Sequence, residues 1–227
     1  MKNTILITGA TGAIGAALAE TLYKKNISPI ITYNKNKHKA NQLSNKYSSP
    51  CFNLDLQDES TIIKLVNDIV EEKNNLLGVI LCASPNLIIE PFTKINANQI
   101  KNQLEINVIG NHKLLSYLIK KIFKKNKKGI VIGILSEAMG QPLNASVKSI
   151  APYIVSKYGL LGLLSSMKAE YQWIDVETIS PGFTESDMLN SFDHRFLDKL
   201  REDRKINNPE DVANDIFLMI DNILRTR

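Results

Sequence analysis

With 227 residues, 44% of them apolar, the chain can bury one full core and is short for two. Its net charge of +5 is scattered, apart from Lys120-Lys-Ile-Phe-Lys-Lys-Asn-Lys-Lys128, which reads as the solvated basic end of a helix rather than a nucleic-acid or membrane surface. It shows no signal-type leader, no apolar run near the ~18 residues of a membrane span and no His/Cys cluster with metal-ligand spacing, so a metal-free cytoplasmic protein with Cys51 and Cys82 free is expected.

Ile5–Thr8 is a short apolar strand that runs straight into Gly9-Ala-Thr-Gly-Ala-Ile-Gly15 and a helix predicted over Ala13–Lys25. Gly9 allows a tight turn, the small Ala13 lets backbone approach a diphosphate, and Gly15 lets the helix pack close to the strand. Free N–H groups at such a helix start face an anion, with the positive end of the helix dipole behind them. The spacing departs from the G-x-G-x-x-G fingerprint while keeping its physical elements.

Strand and helix patterns then alternate. Pro29–Tyr33, Cys51–Leu54, Val79–Ala83, Ile130–Leu135 and Val176–Ser180 read as strands. Helical periodicity falls near Lys37–Lys46, Glu59–Glu72, Ala97–Lys125, Tyr153–Tyr171 and Glu210–Leu224, the long Ala97 pattern predicting two helices that meet near Leu104–Asn107. The alternation predicts an α/β fold, a doubly wound parallel sheet of Rossmann type in one domain spanning 1–227.

Tyr153-Ile-Val-Ser-Lys157 opens the fourth of those helical patterns, just after Pro152. Residues four apart share a helix face, so phenol and ammonium lie side by side. A nearby cation favours phenolate and lowers a tyrosine pKa toward working pH, as a general acid/base requires.

Together these residues resemble the short-chain dehydrogenase/reductase family, in its single-domain branch, over about Asn3 to Val212. The resemblance rests on Thr8-Gly-Ala-Thr-Gly-Ala-Ile-Gly15, Asn107-Val-Ile-Gly110, Tyr153-x-x-x-Lys157, Ser180-Pro-Gly-Phe-Thr-Glu-Ser-Asp-Met188 and Pro209-Glu-Asp-Val-Ala213, in the family's order. It implies six strands, since nothing after Glu210–Leu224 has room for the family's seventh. It also implies that Tyr153 is the acid/base, that Lys157 lowers its pKa and holds the nicotinamide ribose, and that Asn107 holds a water linking Lys157 to solvent.

The carbonyl-polarising serine is expected at Ser136, at a strand's C-terminal end, with Ser146 and Ser149 as alternatives in the longer segment Gln141–Ile150. Implied cofactor contacts are Gly9, Thr11, Gly12, Ile14 and Gly15 in the turn, Asn34 and Lys35 after the second strand, and Asp55 with Leu56 at the adenine. Ala83 follows, then Tyr153, Lys157, and Pro181, Gly182 and Thr184 at the nicotinamide end. Leu81-Cys-Ala-Ser84 stands where the family carries Asn-Asn-Ala-Gly, so the sheet bracing of those asparagines is lost.

No acidic residue occurs from Thr21 through Leu54 to hold a ribose 2′-hydroxyl, whereas Lys35, Lys37 and His38 offer cations for a 2′-phosphate. NADP is therefore expected, with NAD possible. The expected function is an NADP-dependent carbonyl reductase or alcohol dehydrogenase acting on a small molecule. One alternative is a 3-oxoacyl-carrier-protein reductase, although a second basic residue expected near Gln172–Trp173 is absent. The other is a cofactor-binding regulatory protein. Substrate choice is expected from Pro85–Thr93, Gln141–Pro152 and Thr184–Asn207. The Tyr153–Tyr171 helix is apolar or small on nearly every side, so its second face wants a partner, and the family resemblance implies that it pairs with Asn107–Lys125 across a two-fold axis; a homodimer is expected unless the C-terminal helix covers that face.

Overall fold

Five runs carrying Ile, Val or Leu and the short Cys-Phe-Asn run form six strands: β1 (Asn3–Thr8), β2 (Ser28–Tyr33), β3 (Cys51–Asn53), β4 (Asn75–Leu81), β5 (Gly129–Ile134) and β6 (Ile174–Ile179). The structure is a computed structural model that describes residues 3–72, 75–203 and 205–226. The six strands lie parallel in the order β3-β2-β1-β4-β5-β6. β4 starts four residues earlier than the periodicity predicts and ends at Leu81 instead of Ala83.

Connecting these strands are α1 (Ala13–Lys24), α2 (Lys37–Tyr47), α3 (Glu59–Glu71), α4 (Ala97–Leu104), α5 (Asn111–Leu118), α6 (Lys124–Asn126), α7 (Ala151–Glu170), α8 (His194–Glu202) and α9 (Pro209–Thr226). Successive strand residues point to opposite faces, so Leu6, Val79 and Val131 join one core and Ile5, Ile80 and Ile132 the other. The first core is closed by α3, α5 and α7, the second by α1, α2 and α9. The chain winds outward from β1 to β3, crosses back to β4, and continues to β6. The strand order thus reverses between β1 and β4, which opens a crevice at their carboxyl ends.

Residues 97–126 correct the expectation of two helices meeting. The backbone stays right-handed through Leu104 (φ −67°, ψ −39°) and Gly110 (φ −63°, ψ −42°), and α4 passes into α5 through a π-helical segment, Glu105–Gly110. A second one, Ile119–Phe123, joins α5 to α6. No proline breaks the run, and the wide turn absorbs the change of phase that reads as a boundary in the periodicity.

Segment 184–207, expected as a specificity loop, carries a helix the reading of the sequence missed. Leu197 and Leu200 of α8 form a small separate core with Leu189, over which Phe183, Phe192 and Phe196 pack with centroids 5.4–5.6 Å apart. Asn207 ties the segment down, donating its N–H to Phe183 O (2.7 Å) and accepting from Glu185 N–H (3.0 Å). Among the described residues no helix is long and apolar enough to cross a membrane.

Candidate active site

The glycine turn closes where β1 meets α1. Gly9 has φ +65°, and a side chain there would come within 2.8 Å of Ala83 Cα, two residues past β4. The Gly12 N–H donates to Gly9 O (3.0 Å). A Cβ on Gly15 would collide with that same carbonyl and lie 2.7 Å from Ala10 Cα, so only glycine lets α1 start this close to the strand.

α2, α3, α4 and α8 are capped by the side chains of Asn36, Asp58, Asn96 and Asp193. α1 begins on Gly12 with no side-chain cap and no acid in its first turn. Its first N–H groups and dipole thus face the crevice uncompensated by a side chain, a cradle that fits a dinucleotide diphosphate. The missing asparagines are partly replaced by Thr8, whose hydroxyl accepts from the Cys82 and Ala83 N–H groups at 3.0 Å each and so clamps the end of β4 to the turn.

Across the crevice, α7 presents Tyr153 and Lys157 on one face, both buried. The Lys157 ammonium donates to Ile134 O (2.8 Å) and sits 5.4 Å from the Tyr153 ring centroid. Ser136, two residues beyond β5, has its Oγ accepting from the Ala138 N–H (3.2 Å) and lies near enough to the Tyr153 phenol to act on its titration. Burial pushes the phenol above its ordinary pKa and the Ser136 hydroxyl pulls against that rise.

The expectation that Lys157 lowers the phenol pKa is therefore not what this state shows. The ammonium lies over the ring face, and burial holds its own pKa down at about 8. Cys82, free and partly buried as Cys51 is, lies beside this pair, with its thiol pushed up to about 11 by burial. Of the alternative serines, Ser146 and Ser149 are exposed. Ser149 sits at φ +64°, with its carbonyl taken by the Glu90 N–H.

Asn107 faces inward from the π-helical segment and is wholly buried. Its Nδ2 donates to Ser156 Oγ (2.8 Å), which in turn donates to Tyr153 O (2.8 Å), so the rod is tied to the first turn of α7. Asn111 Nδ2 donates to the Asn107 carbonyl at 3.0 Å. The Oδ1 atoms of both asparagines are buried without a protein partner. Ser156 and Gln103, which also meets Asn107 (3.3 Å), went unread in the sequence. Their only signal is helical spacing, three residues after Tyr153 and four before Asn107.

The remaining expected contacts lie at the strand ends. Thr11 and Ile14 flank the turn, while Asn34 and Lys35 follow β2, with the Asn34 carbonyl accepting from Asn53 Nδ2 (3.2 Å). Asp55 follows β3 and turns its carboxylate back to the Gln57 N–H (2.9 Å), with Leu56 buried beside it. Pro181, Gly182 and Thr184 follow β6, and the Thr184 hydroxyl donates to Gly182 O (3.1 Å). Among the described residues no three His, Cys, Asp or Glu side chains gather as a metal would require. The basic run 120–128 immediately precedes Gly129, at the opposite end of β5 from Ser136.

Comparison with known proteins agrees with this geometry. A profile of the short chain dehydrogenase family matches residues 3–195. The 3-oxoacyl-[acyl-carrier-protein] reductase of Rickettsia bellii is 32% identical over 234 residues, spanning 96% of this chain and 88% of the relative. Among solved structures, ElxO with NADP bound superposes with a TM-score of 0.82 at 21% identity, over 96% of this chain and 91% of that one. The 3-ketoacyl-(acyl-carrier-protein) reductase of Brucella melitensis complexed with NADH gives 0.83 at 17% identity, over 96% and 90%.

Proposed function

Because this chain belongs to the short chain dehydrogenase family, we propose that it is an NADP-dependent carbonyl reductase or alcohol dehydrogenase acting on a small carbonyl or hydroxyl compound. One observation carries the proposal: Ser136, Tyr153 and Lys157 converge at the carboxyl end of β5, across the crevice from the uncapped start of α1.

When bound, the nicotinamide supplies or takes up the hydride. The chain's own residues handle the proton and the oxygen. The buried Tyr153 phenol stays protonated at neutral pH and donates to the oxygen that gains charge during reduction. Ser136, whose hydroxyl lies beside that phenol, orients the same oxygen. Lys157 would hold the ribose, and with a pKa of about 8 it exchanges protons readily near neutrality. The unpartnered Asn107 and Asn111 oxygens suit a bound water that returns protons from solvent. Gly9, Gly12 and Gly15 would cradle the diphosphate.

The end of β2 bears on the choice of cofactor. It leads into Asn34, Lys35 and Lys37 with no carboxylate before Asp55. NADPH is expected to bind at least about tenfold tighter than NADH by calorimetric titration. Equal affinities or a preference for NADH would overturn the assignment. The reaction itself is tested by following NADPH oxidation over a panel of small ketones and aldehydes. Absence of turnover on all of them defeats the oxidoreductase proposal.

A second reading is favoured by the Rickettsia relative, whose name and coverage point to 3-oxoacyl groups on a carrier protein. The basic run 120–128 of a chain lies at the far end of the sheet from that chain's own crevice, which weighs against docking there within one copy. A carrier-bound 3-oxoacyl substrate reduced far faster than free ketones would decide for this reading.

We also propose a homodimer. α9 packs on α1, on the sheet face opposite α7, so it does not cover the second face of α7. That face leaves Val155 and Tyr158 exposed, with open space over Gly162, and Ile109 of the segment packed against α7 is exposed too. A second copy pairing α7 and the rod covers these residues. Light scattering at micromolar concentration is expected to give twice the chain mass, and a monomer would refute the pairing.

A further inference from the structure

We propose that the Glu137 carboxylate sets substrate charge preference, favouring carbonyl compounds that carry a cation and disfavouring those that carry an anion. This inference rests on the oxidoreductase proposal above and names its substrate class. Glu137 directly follows Ser136. Its N–H donates to Pro181 O (3.0 Å), which draws the residue across from β5 to the loop after β6. Its carboxylate then lies against Gly182: a Cβ on that glycine would sit 2.7 Å from Oε2 and 3.4 Å from Cδ. The glycine therefore leaves room for the carboxylate at the mouth of the site, where Asn207 Nδ2 closes the other side, 3.3 Å from the same point.

Among the described residues nothing compensates the charge there. Glu185 pairs with Arg201 (3.3 Å) and Asp203 with Lys205 (3.0 Å) on the same rim. Among the described residues no cation lies within ion-pair distance of Glu137, which is exposed. Lys157 is buried, with its ammonium donated to Ile134 O, so it leaves the negative potential at the mouth in place. A substrate oxygen that reaches Ser136 and Tyr153 brings the rest of its molecule past this carboxylate. Complementary charge in so close a position favours one partner over another mainly through specificity.

The test uses three six-membered-ring ketones of matched size with the full chain and NADPH: cyclohexanone, 4-aminocyclohexanone and 4-oxocyclohexanecarboxylate. The native protein is expected to show a kcat/KM about tenfold higher for the amino ketone than for the carboxylate. Glu137→Gln should bring that ratio to within about twofold of unity, and Glu137→Lys should invert it. In parallel, calorimetry on the non-turning-over complexes with NADP+ reads the same ratio as affinity.

A ratio unchanged by Glu137→Gln overturns the inference. So does an equal loss on both charged ketones together with weaker NADPH binding, which would make Glu137 a cofactor contact. If no ketone is reduced, cyclohexanone included, the oxidoreductase proposal fails instead, while the calorimetric ratio still decides the charge preference.

Discussion

Tyr153→Phe is expected to lower kcat by about a thousandfold while changing NADPH affinity by less than about twofold, the range that loss of a positioned general acid produces. The substitution removes one oxygen. The ring of Tyr153 is buried and packed beside the Lys157 ammonium, and phenylalanine keeps that volume and that contact. What disappears is the hydroxyl that meets Ser136. Stability should change by less than about 1 kcal/mol, because only a single buried hydroxyl is lost. Stopped-flow measurement of the reduction step, with fluorescence titration of cofactor, checks both halves. A kcat within tenfold of the native value would remove Tyr153 from the mechanism. Ser136→Ala should then fall between the two, lowering kcat without abolishing it.

Lys157→Met should act in opposite directions on catalysis and on stability. Its kcat is expected to fall by about a hundredfold or more, with weaker cofactor binding, since the proposed mechanism gives one ammonium both tasks. The cofactor-free protein should nevertheless melt higher at pH 7.

The reason is the cost of a buried charge. A lysine in the unfolded chain titrates near 10.5, whereas burial brings Lys157 down to about 8. Between those values the unfolded chain binds the additional proton, so stability rises with pH across this window. Below about pH 8 the full penalty, roughly 3 kcal/mol, is present. Methionine removes it but leaves the Ile134 carbonyl without its donor, which returns about 1–2 kcal/mol. A net rise of a few degrees in Tm at pH 7, shrinking toward zero or reversing by pH 10.5, is expected from thermal melts. A variant that melts lower at pH 7 and stays lower at every pH would show that the ammonium is a structural prop.

Much of the fold was legible because its causes are local. Ile5–Thr8 had to be a strand and Gly9–Gly15 a turn, since a short run of β-branched and apolar residues and a glycine at φ +65° each state a backbone preference within a few positions. The Tyr153–Lys157 pairing followed from helical spacing alone. The helix α8 was missed because its apolar residues Leu197 and Leu200 face a small core of their own rather than the sheet. The pattern over 97–126 reads as two helices because the π-helical segment Glu105–Gly110 between α4 and α5 shifts its phase without ending the helical backbone.

By itself, then, the sequence determined the order of the six strands and of the helices that pack on the sheet, the glycine turn and the tyrosine–lysine face, all set by spacings of at most a few residues. Only the tertiary structure decided which serine meets Tyr153, because the route of the intervening 16 residues from 137 to 152 leaves Ser146 and Ser149 outside and Ser136 against the phenol. It alone showed that burial, rather than the neighbouring ammonium, governs the Tyr153 and Lys157 pKa values, since desolvation depends on what the whole fold places around a group. And it alone brought Glu137 over Gly182, residues 45 positions apart, because the pairing of β5 with β6 carries their following loops to the same edge of the sheet.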